Sequence, residues 1–80
     1  MSISVLILTL NEEDNLPRCL QSVEWSDDII VLDSFSTDRT IKIAEEKGAQ
    51  VVQRRFDNWS AHQNWAVRNI RFKHPWVYYS

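Results

Sequence analysis

The chain is short of the residues that build phosphate-binding loops and disulfides. Its 80 residues include one glycine, Gly48, and one cysteine, Cys19. A single cysteine cannot form an internal disulfide, so we expect a reducing compartment. The dinucleotide-binding fingerprint and the phosphate-binding loop both need glycines in the turn after the first strand, and here that turn reads TLNEEDN. The sequence therefore argues against both motifs.

Long hydrophobic runs and an excess of positive charge are also absent. The longest apolar run lies near the amino terminus and is far shorter than the ~20 residues of a transmembrane helix. No positively charged segment precedes it, which argues against a signal peptide. The formal net charge is −2, whereas a nucleic-acid-binding domain normally has a basic surface. We therefore expect a cytoplasmic protein, with the inner face of the membrane as an alternative location, and neither a transmembrane segment nor a nucleic-acid partner.

Apolar strands alternate with amphipathic helices along the whole chain. The strands are predicted at residues 3–9, 29–32, 50–53 and 76–79, with one helix in each interval. Pro17 is tolerated only in a first turn, so the first helix should begin near Asp14 or Asn15. Ser36 or Thr37 is expected to cap the second helix. This pattern predicts an α/β fold with a mainly parallel sheet, in the order strand-helix-strand-helix-strand-helix-strand.

The third helix and the last strand complete this prediction. Ala61, Trp65, Ala66 and Asn69 are expected along the inward face of the third helix, and the last strand is expected to be buried. An apolar strand followed by no turn, helix or polar tail is unusual for a natural domain. We therefore expect residues 1–80 to be the amino-terminal part of one larger domain, incomplete at its carboxyl end.

Polar and acidic residues follow the first two strands where each strand ends. Thr9, Asn11 and Glu12 follow the first strand, and Asp33 ends the second. Open α/β sheets place ligand contacts at the carboxyl ends of their strands, which predicts a ligand site here. Asp33 has an alternative role, because an aspartate at this point can hold the following turn through an Asx-type hydrogen bond. Arg54 and Arg55 are expected to be solvated, and His62 to take no part in a metal site.

Three motifs in order resemble family 2 glycosyltransferases of the GT-A fold. They are Thr-x-Asn-Glu at residues 9–12, Asp-Ser-x-Ser-Thr-Asp-x-Thr at 33–40, and Phe-Asp-x-Trp at 56–59. Within that family the chain is most similar to the lipopolysaccharide-core, β-1,4-glucosyltransferase-like branch. The resemblance implies a three-layer α/β/α, Rossmann-like nucleotide-binding half. It also implies a hexosyltransferase that acts in cell-envelope glycan or lipopolysaccharide biosynthesis.

The resemblance also assigns candidate site residues. Thr9 and Asn11 would line the nucleoside pocket, with Glu12 beside them, and Asp33 would contact the base or ribose. Ser34 stands where many relatives have a second aspartate, so the division of labour between Asp33 and Ser34 stays open. The implied partners are a nucleotide-sugar donor, most often a UDP-sugar, and a glycan or lipid-linked acceptor.

The metal and the catalytic base of such enzymes have no counterpart in the sequence. The family holds Mg²⁺ or Mn²⁺ with an Asp-x-Asp motif, which does not occur in these residues. We therefore expect Mg²⁺ or Mn²⁺ in a full-length protein, no metal ligand or catalytic residue in this chain, and little activity from it alone. The alternatives are a small non-catalytic α/β binding module, such as a receiver-like domain, and an inactive truncated remnant.

Overall fold

The computed structural model describes residues 2–80, in which strands and helices alternate strictly. The strands are β1 (Ser4–Thr9), β2 (Ile29–Asp33), β3 (Gln50–Gln53) and β4 (Val77–Tyr79). The helices are α1 (Leu16–Ser22), α2 (Thr40–Glu46) and α3 (Trp59–Asn69). The predicted order of elements is confirmed. No helix within this described part of the chain is long and apolar enough to span a membrane.

The four strands form one parallel sheet in the order β3-β2-β1-β4. The two central strands, β1 and β2, are apolar at nearly every position because helices cover both of their faces. The order reverses beside β1, since β2 and β3 lie on one side of it and β4 on the other. In open α/β sheets the ligand crevice lies at such a reversal, outside the carboxyl ends of the strands.

Helices pack on both faces of the sheet and bury two separate clusters of apolar side chains. On one face, residues of α1 and α2 and the chain just after each helix pack against the strands; the buried residues are Val5, Ile7, Leu16, Leu20, Val23, Val31, Ala44 and Ala49. On the other face, α3 packs against the sheet through Leu6, Ile30, Leu32, Ala66 and Ile70. The predicted three-layer α/β/α arrangement is thereby confirmed.

Two predictions about the ends of α1 and α2 agree with the structure, and one is wrong. Pro17 lies in the first turn of α1, and Gly48 ends the α2 segment with a φ of 82°, a left-handed conformation that glycine adopts without strain. The predicted cap of α2 at Ser36 or Thr37 is wrong, because α2 begins at Thr40. The polar groups of Ser36 and Thr37 bond instead to residues at the ends of β1 and β2.

The buried face of α3 is rotated from the predicted one. His62, Ala66 and Ile70 are buried at intervals of four residues, whereas Asn69 is exposed and donates its amide to a backbone carbonyl of the same helix. Asn58 caps the helix by accepting the backbone N–H of Ala61 at 2.9 Å. The prediction missed the register because it placed Asn69, and not His62, on the inward face.

The last strand is an edge strand, not the buried strand that the sequence predicts. β4 has three residues and pairs only with β1. Tyr78 and Tyr79 are both about half exposed, and Val77 alone packs against the α3-side cluster. The error arises because an aromatic run indicates a strand but does not reveal whether the strand is central or at an edge.

Candidate functional site

The carboxyl ends of β1 and β2 are joined by hydrogen bonds between the predicted site residues. The strand register sets Thr9 opposite Asp33, and the Thr9 hydroxyl donates to the Asp33 carboxylate at 2.6 Å. The backbone N–H of Ser34 donates to the Thr9 carbonyl at 2.9 Å and extends the pairing by one step. The fold therefore brings Thr9, Asp33 and Ser34 together, as the sequence predicts for parallel neighbouring strands.

Asp33 is fully buried, and protein donors meet both of its carboxylate oxygens. Besides Thr9, it accepts the backbone N–H of Ser36 at 2.8 Å, the Ser36 hydroxyl, and the Gln53 amide at 3.4 Å. Burial pushes the pKa of Asp33 upward, but the bonds from Ser36 and Thr9 outweigh it and hold the pKa below its ordinary value. Asp33 thus holds the turn, which is the alternative role. Contact with a base or ribose stays a prediction that requires one of these donors to move.

Asn11 joins the loop after β1 to the loop after β2. Its side-chain oxygen accepts the backbone N–H groups of Thr37 at 2.8 Å and Asp38 at 3.4 Å, and its own N–H donates to the Ser36 hydroxyl at 2.8 Å. Asn11 has a φ of 52°, in the left-handed region that asparagine tolerates better than most residues. These bonds among residues 11 and 36–38 are called the loop clasp below.

Glu12 contributes its backbone to the same junction and its side chain to the open edge. Its N–H donates to the Thr40 hydroxyl at 2.9 Å, and its carboxylate accepts the Asn15 amide at 3.3 Å. Because Thr40 begins α2 and is buried, this bond anchors the loop after β1 to a second helix. The side chain of Glu12 is half-buried and available to a ligand.

A cavity of about 220 Å³ opens beside this junction, on the α3 side of the sheet. Its lining combines the end of β1, the residue after β2 and the start of α3, namely Leu8, Thr9, Leu10, Glu12, Ser34, Phe56, Trp59 and His62. Three of the five predicted site residues line it: Thr9, Glu12 and Ser34. Asn11 and Asp33 do not line the cavity. They hold the loops beside it, Asn11 through the loop clasp and Asp33 through the buried turn.

The aromatic wall of this cavity was missed by the sequence prediction. Phe56 packs edge-on against Trp59, with ring centroids 5.2 Å apart, and against His62 at 5.3 Å. Phe56 and Trp59 nevertheless remain well exposed, Trp59 by 64%. The sequence analysis assigned no site role to Phe56 or Trp59. The signal that could have found the wall was the Phe-Asp-x-Trp motif at residues 56–59, because that motif leads directly into the helix beside the strand ends.

An arginine behind this wall links a carboxylate to the buried histidine. Arg54 donates to both oxygens of Asp57, at 2.9 and 3.1 Å, and its Nη1 lies 2.9 Å from Nδ1 of His62. The hydrogen bonds from Arg54 hold the pKa of Asp57 well below its usual range. Burial, together with the charge of Arg54, lowers the pKa of His62. The expectation that Arg54 is solvated is wrong, because its side chain is only 21% exposed.

Residues 2–80 form no site for the divalent metal that the resemblance implies in a full-length protein. Within residues 2–80, no group of three or more His, Cys, Asp or Glu side chains is arranged to hold a metal ion. Asp33, the acidic residue at a central strand end, already uses its oxygens for protein donors. The site as it stands offers hydroxyl, carboxylate and aromatic groups for hydrogen bonding and stacking.

A model of one protein family matches residues 4–79, almost the whole chain, under the description Glycosyl transferase family 2. The chain belongs to glycosyl transferase family 2. Its curated relatives include a TPR repeat-containing protein of Synechococcus elongatus, 42% identical over 67 residues, or 81% of this chain and 17% of the relative. They also include a 4,4'-diaponeurosporenoate glycosyltransferase of Staphylococcus haemolyticus, 45% identical over 60 residues, or 71% of this chain and 16% of that enzyme.

Solved structures that are similar to this chain share its fold. Glucosyl-3-phosphoglycerate synthase from Mycobacterium tuberculosis, in complex with Mn²⁺, UDP-glucose and phosphoglyceric acid, is 31% identical with a TM-score of 0.66. The alignment covers 82% of this chain and 28% of the synthase. The GT-A, Rossmann-like class of the nucleotide-binding half is thereby confirmed. The family 2 chain described here spans less than a third of the length of each of these proteins.

Proposed function

We propose that this chain is the nucleoside-binding part of a glycosyltransferase that uses a nucleotide-sugar donor, with a UDP-sugar as the first candidate. The observation that carries the proposal is the cavity at the carboxyl ends of β1 and β2, lined by Thr9, Glu12 and Ser34. Its position beside the reversal of strand order is where open α/β sheets bind nucleotides.

The chemistry of the cavity fits a nucleoside better than a free phosphate. Hydroxyl and carboxylate groups can bond the hydroxyls of a ribose or the edge of a base, and the exposed rings of Phe56 and Trp59 suit a planar base. Glu12 would repel an unneutralised phosphate at this point. Family membership and the UDP-glucose complex of the mycobacterial synthase support the same donor class.

The rest of the reaction is proposed from the family alone. We propose hexosyl transfer that depends on Mg²⁺ or Mn²⁺, with the metal ligands and the catalytic base supplied by residues other than these 80. The lipopolysaccharide-core branch, a cell-envelope glycan or lipid-linked acceptor, and a cytoplasmic location, with the inner membrane face as the alternative, stay predictions. The mycobacterial synthase of similar fold was solved in complex with phosphoglyceric acid, which supports testing a small acceptor as well.

Titration of the ¹⁵N-labelled chain with UDP-glucose, UDP and ADP-glucose tests the donor proposal. We expect amide shifts in two-dimensional NMR spectra at Thr9, Glu12 and Ser34, larger for the uridine ligands. Ser34→Ala should weaken UDP binding by roughly 2- to 10-fold, the value of one neutral hydrogen bond, whereas Ser22→Ala on α1 should not. A well-dispersed spectrum that no nucleotide shifts at millimolar concentration would refute the proposal. Shifts produced at Asp33 by Mg²⁺ alone would favour the receiver-like module.

A further inference from the structure

His62 is a buried polar side chain at the wall of the cavity, and its protonation state is set by its neighbour. The side chain is 1% exposed, and its Nδ1 lies 2.9 Å from Nη1 of Arg54. A guanidinium group can only donate hydrogen bonds, so Nδ1 must accept. The ring is therefore neutral and carries its proton on Nε2.

The remaining nitrogen, Nε2, has no hydrogen-bond partner in the described part of the chain. It is nevertheless not sealed in the core, because no fully buried side-chain nitrogen or oxygen of residues 2–80 lacks a partner. Since His62 lines the cavity and Nε2 is not sealed in the core, we infer that the free Nε2–H faces that space.

The surroundings fix this donor in place. Asp57 accepts two hydrogen bonds from the guanidinium of Arg54. Arg54 also lies over the ring of Trp65, 5.7 Å from its centroid. Phe56 packs edge-on against the imidazole. The charged groups around His62 are Arg54 and Asp57 behind it and Glu12 on the cavity wall. Burial and Arg54 lower the pKa of His62, so the neutral donor persists at neutral pH.

The size of the cavity limits which part of a ligand His62 can meet. At about 220 Å³ it is smaller than the ~300–1,000 Å³ of pockets that enclose a whole drug-sized ligand. It suits one ring, and exposed Phe56 and Trp59 offer faces on which a planar ring can stack. A buried N–H without a protein partner selects a ring that presents an acceptor.

We propose that His62 is a specificity-determining residue whose Nε2–H donates to an acceptor atom on the edge of a nucleobase, such as a carbonyl oxygen of uracil. Arg54 and Asp57 are positioning residues that hold the required tautomer. This inference rests on the proposed nucleoside-binding function and extends it to a residue of α3.

Two substitutions at residue 62 separate the donor from its packing. His62→Gln can still accept from Arg54 through its oxygen and donate through its nitrogen, whereas His62→Phe keeps a ring but has neither group. We expect His62→Phe to bind uridine about 3- to 10-fold more weakly than the wild-type chain, and His62→Gln to stay within about 2-fold of it. Ribose, which has no base, should bind all three chains equally.

The ¹⁵N resonances of the imidazole give a second readout that does not depend on any variant. In the wild-type chain at neutral pH we expect the Nε2–H tautomer, and a shift of Nε2 when uridine, but not ribose, is added. Failure of the wild-type chain to bind uridine would overturn the proposed function. Uridine binding with no Nε2 shift, or equal affinity in folded His62→Phe, would overturn only the role of His62.

Discussion

Asp33 combines complete burial with hydrogen bonds from four donors, in Thr9, Ser36 and Gln53. Hydrogen bonds to a charged group contribute about 1.5–3 kcal/mol, more than neutral ones, because charge strengthens each bond. A neutral amide at this position would offer one acceptor and would turn its NH₂ group toward existing donors. The residue therefore matters for the stability of the turn before it matters for any ligand.

Asp33→Asn should lower the free energy of unfolding by about 2–3 kcal/mol at neutral pH, as measured by urea denaturation. The pKa of Asp33 is lowered in the folded state from 3.8, so its contribution is present above that value and is lost as pH falls through the lowered pKa. The difference between wild type and variant should shrink on acidification. Exposed Asp14→Asn is the control, expected within about 0.5 kcal/mol of wild type. A difference independent of pH would contradict this account.

Phe35 lies two residues beyond Asp33 in a conformation that its side chain disfavours. Its φ is 63°, and its ring is 52% exposed, so little packing energy compensates the backbone strain. A non-glycine residue in this region is strained by roughly 1–3 kcal/mol. Glycine relieves that strain, but it also gives the unfolded chain more conformational entropy, which offsets part of the gain in stability. The turn around Asp33 imposes the conformation, since Ser34 and Ser36 are both held by hydrogen bonds.

Phe35→Gly should raise the free energy of unfolding by up to about 1 kcal/mol, because it relieves the left-handed strain. Phe35→Ala removes the same ring but keeps a Cβ, so it should leave the stability within about 0.5 kcal/mol of wild type. Thermal unfolding followed by circular dichroism compares the two. A glycine variant no more stable than the alanine variant would show that the left-handed backbone at residue 35 stores little strain.

At the residue scale, the sequence predicted which residues gather at the site but not which of them line the cavity. Thr9, Asn11, Glu12, Asp33 and Ser34 were found because polar residues directly after apolar strands stand out in a sequence. Their division into cavity lining and buried support depends on which donors reach which oxygen, over separations of more than 20 residues. No local pattern encodes those distances.

At the scale of elements, the loop clasp is the contact that sets the two strand-end loops against each other. Asn11 combines a left-handed backbone with a side-chain acceptor for the N–H groups of Thr37 and Asp38. These N–H groups lie just before α2, so the clasp also fixes where that helix can begin. This is why the predicted start of α2 was wrong: residues expected as caps are engaged across the loops.

Asn11→Ala should destabilise the chain by about 1–2 kcal/mol and speed hydrogen exchange at the amide of Thr37, because it removes the acceptor and strains the backbone. Asn11→Gly removes the acceptor without the strain and separates the two effects. We expect Asn11→Gly to be the more stable variant but to exchange equally fast at Thr37. Unchanged protection of Thr37 in both variants, measured by NMR-detected exchange, would count against the clasp.

The two central strands, β1 and β2, were the most predictable elements, and the buried face of α3 was among the least predictable features. β1 and β2 are buried on both faces, and such strands appear in a sequence as unbroken apolar runs. In α3 the buried positions include His62, which is compatible with the core only because Arg54 bonds its Nδ1. A partner on the preceding loop is not visible from helical periodicity, so the predicted face was rotated.

At the scale of the whole molecule, the sheet has two open edges, and the β4 edge is the more apolar. Trp76, Tyr78 and Tyr79 are each about half exposed or more, and Tyr78 packs only loosely against Trp25, with centroids 6.3 Å apart. Unpaired backbone groups next to exposed aromatic rings favour pairing with another chain. The position of β4 gives this tendency to associate a specific location.

We therefore predict that the chain associates in a concentration-dependent manner through β4, and that Tyr78→Lys suppresses this association. A lysine on an edge strand opposes pairing by charge, while loss of the half-exposed ring should cost no more than about 1 kcal/mol of stability. Tyr78→Phe keeps the aromatic ring and should associate as the wild type does. Sedimentation velocity over a range of concentrations distinguishes these cases. If the chains associate through β4, only the lysine variant should stay monomeric. Equal association of all three chains would place the contact elsewhere on the surface.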